Sequence, residues 1–394
     1  MTRFAKILGR SLLIGGAALA LIGTAPGPKP KPENFLIWTP QEQVFGYRNI
    51  EKIFPIHVAA RGPKIYPLPV AGKSINPTFT FRGAPGSVPD YIKANRVAGL
   101  LVIHDGQIVL EKYGLGETAQ DRWTSFSVGK SVTSTLLGAA IKDGYIGSVD
   151  DAVTKYIPEL VGSAYDGVTI AQVLKMRSGV KWNEDYADPN SDVRRLVSSM
   201  TRSKGDSLVS LMKGLPREAA PGTKFVYKTG ESNLIGLLVI RATHKSLASY
   251  LSEKIWAPFG MEKDAAWMTY DGAEVGGCCI SMTLRDYGRF GEFFRKGGVV
   301  GDRHILPEGW VDAATQTYSS NVFGDIGYGY QWWTHKDGTF EAIGIFGQSI
   351  YIDPANKLVI VTSSAWPSAE WEEGYQRQSA FRDGVKDALG LPKQ

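Results

Sequence analysis

The sequence predicts an α+β fold: an antiparallel sheet flanked by helices, with a mostly helical second lobe. Two β-rich runs between Val97 and Gly114 lead into an apolar helical stretch from Ser127 to Asp143. From about 150 to 230 the chain breaks into short amphipathic pieces with few β-runs, and beyond Gly327 aromatic and β-branched runs return between turns. That order gives two lobes, and a site is expected in the cleft between them.

The first ten residues carry Arg3, Lys6 and Arg10, and an uncharged stretch follows from Ser11 to Pro28 containing LLIGGAALALIG. A basic region followed by an apolar one is the layout of a secretory signal peptide. Ala18 and Ala20, or Gly23 and Ala25, offer small residues for cleavage, and the stretch is also long enough to stay as a membrane anchor. Both readings of residues 1–28 stay open. Each makes the protein exported: periplasmic, or anchored facing outside the cytoplasm with membrane contact through this segment. Residues 29–75, rich in Pro and Lys at their start, read as a linker and wrapping arm with little regular structure. The domain proper is expected over 76–394.

Within VAGLLVIHDGQIVLEKYG, Asp105-Gly106 suits a two-residue hairpin turn. The helix that opens at Ser127 has apolar residues at helical spacing and stops at Gly144, a good C-terminal cap. Pro158, Gly179, Pro189, Pro216 and Pro221 punctuate the helical lobe. SNLIGLLVIRATHKSLASYLSEKIW then predicts one or two buried helices, and GYGYQWWTH, FEAIGIFGQSIYIDP and KLVIVTSSAW predict strands.

With 394 residues, 43% of them apolar, the chain can bury a large core. Its 44 Lys+Arg against 39 Asp+Glu leave a net charge of +5, with no basic block and no nucleic-acid motif. The two cysteines, Cys278 and Cys279, are neighbours, so they neither staple distant segments nor make a four-ligand zinc site. No ligand cluster or phosphate-cradling glycine loop calls for a metal or organic cofactor.

A serine is a weak nucleophile until a neighbouring group takes its proton. No G-x-S-x-G elbow occurs, and His57, His104, His244, His304 and His335 lie in no triad setting. Ser127-Val128-Gly129-Lys130 does better, because residues three apart on a helix share a face and bring the amine beside the hydroxyl. Ser127 also falls at the helix N-terminus, where free N–H groups favour charge developing on an acyl oxygen. The alternative is a surface serine followed by a solvated lysine.

The segments SFSVGKSVTSTLLGAAIKDGYI, DDAVTKYIPEL, VTIAQVLKMRSGV, PGTKFVYKTGESNLIG and GIFGQSIYIDP resemble the serine β-lactamase and penicillin-recognising fold. The likeness runs from about Phe79 to Asp383 and points to the class C-like branch of esterases, carboxypeptidases and 6-aminohexanoate-dimer hydrolases, most closely the last. It implies hydrolysis of a small linear amide or ester through an acyl-enzyme on Ser127, without a cofactor. Carboxylesterase is the first alternative and β-lactamase or DD-peptidase the next. A non-catalytic binding or sensor domain of the same fold would be expected to lack one of Ser127, Lys130 and Tyr227.

The family's second motif falls on Tyr227-Lys228-Thr229, with threonine in place of asparagine. The resemblance implies that Tyr227, its pKa lowered by the nearby lysine, acts as base and then acid; a core tyrosine is the alternative. The third motif falls on Ile343-Gly344, keeping only the glycine. It places the oxyanion hole at the N–H groups of Ser127 and Ile345 and puts Thr229 and Gly344 at the substrate. Loss of the motif's lysine and threonine predicts little β-lactamase activity. The loop WNEDYADPNSD resembles one that follows the same segment in the 6-aminohexanoate-dimer hydrolases, so Tyr186 with Asp185 or Asp188 is expected to close over substrate.

Overall fold

The computed structural model describes residues 29–202 and 207–393. The expected signal peptide or anchor lies outside them. Among the described residues, no helix is long and apolar enough to cross a membrane.

Among the described residues a 3-10 turn (Pro32–Ile37) comes first, then helix α1 (Pro40–Arg48) and strand β1 (Ile56–Ala59); after a small hairpin and short helix over 78–94 comes the hairpin of β2 (Val97–His104) and β3 (Gln107–Tyr113). Asp105 and Gly106 take φ of +48° and +76°, the paired positive values that a tight hairpin turn requires. The short strand β4 (Trp123–Thr124) leads directly into helix α2 (Val128–Lys142). After the helical lobe come helix α3 (Thr229–Thr243), β5 (Ala265–Tyr270), β6 (Ile280–Met282) and helix α4 (Leu284–Arg295). The C-terminal part supplies β7 (Ser319–Phe323), β8 (Ile326–Tyr328), β9 (Trp333–Thr334), β10 (Phe340–Gly344), β11 (Gln348–Asp353), β12 (Leu358–Ser364) and helix α5 (Glu372–Leu389).

The main sheet has eight antiparallel strands in the order β7-β8-β9-β10-β11-β12-β2-β3. Its central strands are apolar at nearly every position because both faces are covered. In β2 and β12, Leu101, Ile103, Val359 and Val361 join the core shared with α2 and α4. The alternate residues Leu100, Val102, Leu358 and Ile360 pack with Phe381 and Val385 of α5. Strict alternation therefore sorts one run, GLLVI, into two cores.

Helix α2 is buried almost all round, the pattern of a helix enclosed between layers. It lies between the main sheet and the helical lobe, whose pieces Ile170–Leu174, Asp192–Arg202 and Ser207–Lys213 are as short as the prolines and glycines predict. A smaller sheet, β1-β5-β6-β4, ends on the strand that delivers Ser127.

Two expectations fail. The arm 29–75 carries more regular structure than expected: Thr39 caps α1 in a reciprocal capping box with Glu42, and β1 pairs with β5. Its Phe35 and Tyr47 are buried against Phe126, with ring centroids 5.1 and 4.9 Å apart. The run GYGYQWWTH is not one strand: β8 and β9 are separated by a turn closed by Gly329 N–H to Trp332 O, with Gln331 at φ +64°. A Cβ at Gly329 would lie 2.1 Å from the Ala314 carbonyl oxygen, so the chain bends there because its backbone is pressed against a neighbour.

Candidate active site

Ser127 is the N-cap residue of α2, on a segment held by reciprocal bonds to β6. The Ser125 N–H donates to the Ile280 carbonyl (2.8 Å) and the Ile280 N–H to Ser125 Oγ (3.0 Å). Phe126, immediately before the serine, takes φ +43°, a left-handed conformation that costs a bulky residue about 1–3 kcal/mol. Phe35, Tyr47 and Phe346 enclose its ring and offset that cost. The strained residue thus turns the chain sharply from strand into helix, and Ser127 is presented at the turn.

One helical turn on, Lys130 is 1% exposed. Its Nζ lies 3.0 Å from Ser127 Oγ and 2.9 Å from both Thr229 Oγ1 and the Gly277 carbonyl oxygen. Burial pushes its pKa down to about 8, opposed only in part by the negative charge of Glu184. A substantial share of the amine is therefore neutral near pH 8 and able to accept the serine proton.

Tyr227 precedes α3, stacks on Trp333 with centroids 5.4 Å apart and meets Tyr328 edge-on at 6.0 Å. Lys130 Nζ is 5.1 Å from its ring centroid, and the neighbouring Ser127 side chain favours the phenolate. The expected lowering of its pKa is not found. Burial and the Glu184 charge push it well above the usual phenol value, which outweighs the opposing influence of Ser127. The phenol is therefore held protonated, as a donor.

Thr229, where the family motif has asparagine, is the first residue of α3 and a direct partner of Lys130. Gly344 ends β10, and a Cβ there would lie 2.5 Å from the Ser125 carbonyl oxygen. Its place in the site is close packing against the serine-bearing segment, which brings the following Ile345 beside it. Among the described residues, neither the Ser127 N–H nor the Ile345 N–H donates to a backbone carbonyl.

In the 182–192 loop, Tyr186 is buried and its hydroxyl donates to Glu184 (2.7 Å). Asp185 is exposed and caps its own turn, accepting the N–H groups of Ala187 and Asp188 at 2.8 and 3.2 Å. Asp188 likewise accepts from Asn190 N–H and Asn183 Nδ2, so both acids shape the loop. The acid that reaches the site is Glu184, which sequence reasoning passed over. It accepts bonds from the N–H and hydroxyl of Thr229, from Trp182 Nε1 and from Tyr186. Asn233, one turn along α3 from Thr229, was also missed; its Oδ1 accepts the Gly277 N–H (2.6 Å) and so holds the residue whose carbonyl meets Lys130. Glu370 faces the same loop, and burial with the charges of Glu184 and Asp185 raises its pKa.

Cys278 and Cys279 are disulfide-bonded to each other, directly after Gly277. Of the histidines, His57 pairs with Glu274 and His335 with Glu341; neither bonds Ser127.

The Beta-lactamase family model matches residues 90–381, well over half of the chain. The 6-aminohexanoate-dimer hydrolase of Paenarthrobacter ureafaciens is 33% identical over 309 residues, covering 73% of this chain and 78% of the relative. Among solved structures, a Bacillus anthracis protein provisionally named as a 6-aminohexanoate-dimer hydrolase superposes with a TM-score of 0.81 at 24% identity, covering 89% of this chain and 96% of the other. A penicillin-binding protein from Bacillus halodurans gives 0.60 at 16% identity, with 74% and 98% covered. The chain belongs to the beta-lactamase family of serine hydrolases.

Proposed function

We propose that the protein hydrolyses a small linear amide of the 6-aminohexanoate-dimer kind, or a related ester, through an acyl-enzyme on Ser127. The observation that carries this reading is the buried Lys130 amine, 3.0 Å from Ser127 Oγ and with its pKa pushed down to about 8. The relative from Paenarthrobacter ureafaciens supports the substrate class.

Neutral Lys130 takes the Ser127 proton as Oγ attacks the carbonyl carbon, and the N–H groups of Ser127 and Ile345 receive the oxyanion. Tyr227 gives its phenolic proton to the leaving nitrogen as the C–N bond breaks and regains one from the ammonium side of the network. Water then attacks the acyl-enzyme, which releases the acid and restores Ser127. Tyr186 and Thr229 line the approach to this centre, while Asp185 and Gly344 support it through turn and packing. An ester differs only in its leaving group, so carboxylesterase activity follows from the same machinery.

A panel of p-nitrophenyl esters, the linear 6-aminohexanoate dimer and nitrocefin tests the reading. Turnover of the linear substrates with poor nitrocefin hydrolysis supports it; nitrocefin turnover matching the best ester in kcat/KM overturns the substrate class. The basic and apolar N-terminal segment supports export, either cleaved or anchored, and cell fractionation with N-terminal sequencing of the mature chain decides it.

A further inference from the structure

The Glu184 carboxylate accepts four hydrogen bonds: from Thr229 N–H (2.9 Å), Tyr186 Oη (2.7 Å), Trp182 Nε1 and the Thr229 hydroxyl. An ionised carboxylate only accepts, and a threonine hydroxyl has one proton. With that proton on Glu184, Thr229 Oγ1 can only accept from Lys130, 2.9 Å away. The Gly277 carbonyl, also at 2.9 Å, accepts by its nature. Two of the three partners of Lys130 therefore demand N–H groups. A neutral amine has two N–H groups and one lone pair, so the lone pair is left facing Ser127 Oγ at 3.0 Å.

We propose that Glu184 is a positioning residue: it fixes the polarity of the Thr229 hydroxyl, aims the Lys130 lone pair at Ser127, and ties the 182–188 loop to the Tyr227–Thr229 segment. A glutamine there has one oxygen for four donors and an NH2 that can donate to Thr229 Oγ1, so the Thr229 hydroxyl becomes free to rotate and donate to the lone pair, which withdraws the base from the serine. This rests on the reading that Ser127 and Lys130 carry the chemistry. Around the pair, the charged or titratable neighbours of Glu184 are Lys130, Tyr186, Tyr227 and Tyr328, with Glu370 from the segment before α5.

The test compares Glu184→Gln, Thr229→Val, Thr229→Ser and the Glu184→Gln/Thr229→Val double variant, by kcat/KM for p-nitrophenyl acetate against pH and by the rate of fluorophosphonate labelling. Glu184→Gln is expected to lower kcat/KM by about 100-fold, the loss typical of a displaced reacting group. Its acid limb is expected to move to lower pH, because the lost negative charge had favoured the Lys130 ammonium. Thr229→Val is expected to lose a similar amount, and Thr229→Ser, which restores the hydroxyl, to recover at least about tenfold of it. In the Val background, Glu184→Gln is expected to add little, since the route through Thr229 is already gone. Fully additive losses, or an acid limb that stays in place as activity falls, overturn the proposal. If Glu184→Gln does not fold, the Val and Ser pair still decides: equal activity in the two overturns it. Failure of the underlying reading is separate and visible, because Ser127→Ala would then still label and turn over.

Discussion

Asn233 Oδ1 accepts the Gly277 N–H at 2.6 Å, while the carbonyl of the same glycine faces Lys130 Nζ at 2.9 Å. One peptide segment thus links helix α3 to the amine on α2, and the Cys278–Cys279 disulfide follows it directly. A side chain at this position has nowhere to go: a Cβ on Gly277 would lie 2.9 Å from Thr229 Cγ2 and 3.0 Å from Asn233 Oδ1.

Gly277→Ala is therefore expected to displace the Lys130 acceptor as well as strain the core. Overpacking of this kind costs about 1–3 kcal/mol, and kcat/KM is expected to fall by about tenfold or more as the amine shifts. Thermal melts and ester kinetics on the purified variant check both. Wild-type turnover would show that the Gly277 carbonyl has no part in holding the amine.

The pH profile follows from the burial of Lys130. In the proposed mechanism the active form is the neutral amine, whose share grows as pH rises through about 8. For p-nitrophenyl acetate, kcat/KM is expected to rise with pH and level off above an inflection near that value. An inflection near the ordinary lysine value, or a flat profile, would remove Lys130 from the role of base.

Tyr227 separates amides from esters. A nitrogen must be protonated before it leaves, whereas an activated alkoxide departs with less help, so the loss of a proton donor falls mainly on amides. Tyr227→Phe keeps the ring on Trp333 and removes one oxygen. Amide hydrolysis is expected to fall by roughly 10²–10⁴-fold, with a much smaller effect on p-nitrophenyl acetate. Equal losses on both substrates would assign Tyr227 to activating Ser127 instead.

Much of this site was legible from local rules. Ser127 and Lys130 are three apart on a helix, and spacing alone predicts that they meet. The Asp105-Gly106 hairpin and the apolar runs of β2 and β12 were equally readable, because turn chemistry and burial leave short-range marks. The direction of the Tyr227 pKa was not: a nearby lysine is visible in the sequence, but the burial and the Glu184 charge that outweigh it are tertiary. Glu184, Asp185 and Asp188 crowd one loop, and only packing decides which carboxylate turns inward to Thr229. The arm carried a readable signal, Thr39-Pro40-Gln41-Glu42, a capping box with proline at the first helical position, beneath its proline-rich start.

In the proposed mechanism Ser127 becomes acylated because Lys130 takes its proton. The most direct test is the rate of covalent fluorophosphonate labelling, followed by intact-protein mass spectrometry, for the wild type, Ser127→Ala and Lys130→Ala. The mechanism predicts stoichiometric labelling of the wild type at Ser127, none in Ser127→Ala, and labelling slowed by about 100-fold or more in Lys130→Ala. Labelling of Lys130→Ala at the wild-type rate, or of Ser127→Ala at all, would contradict it.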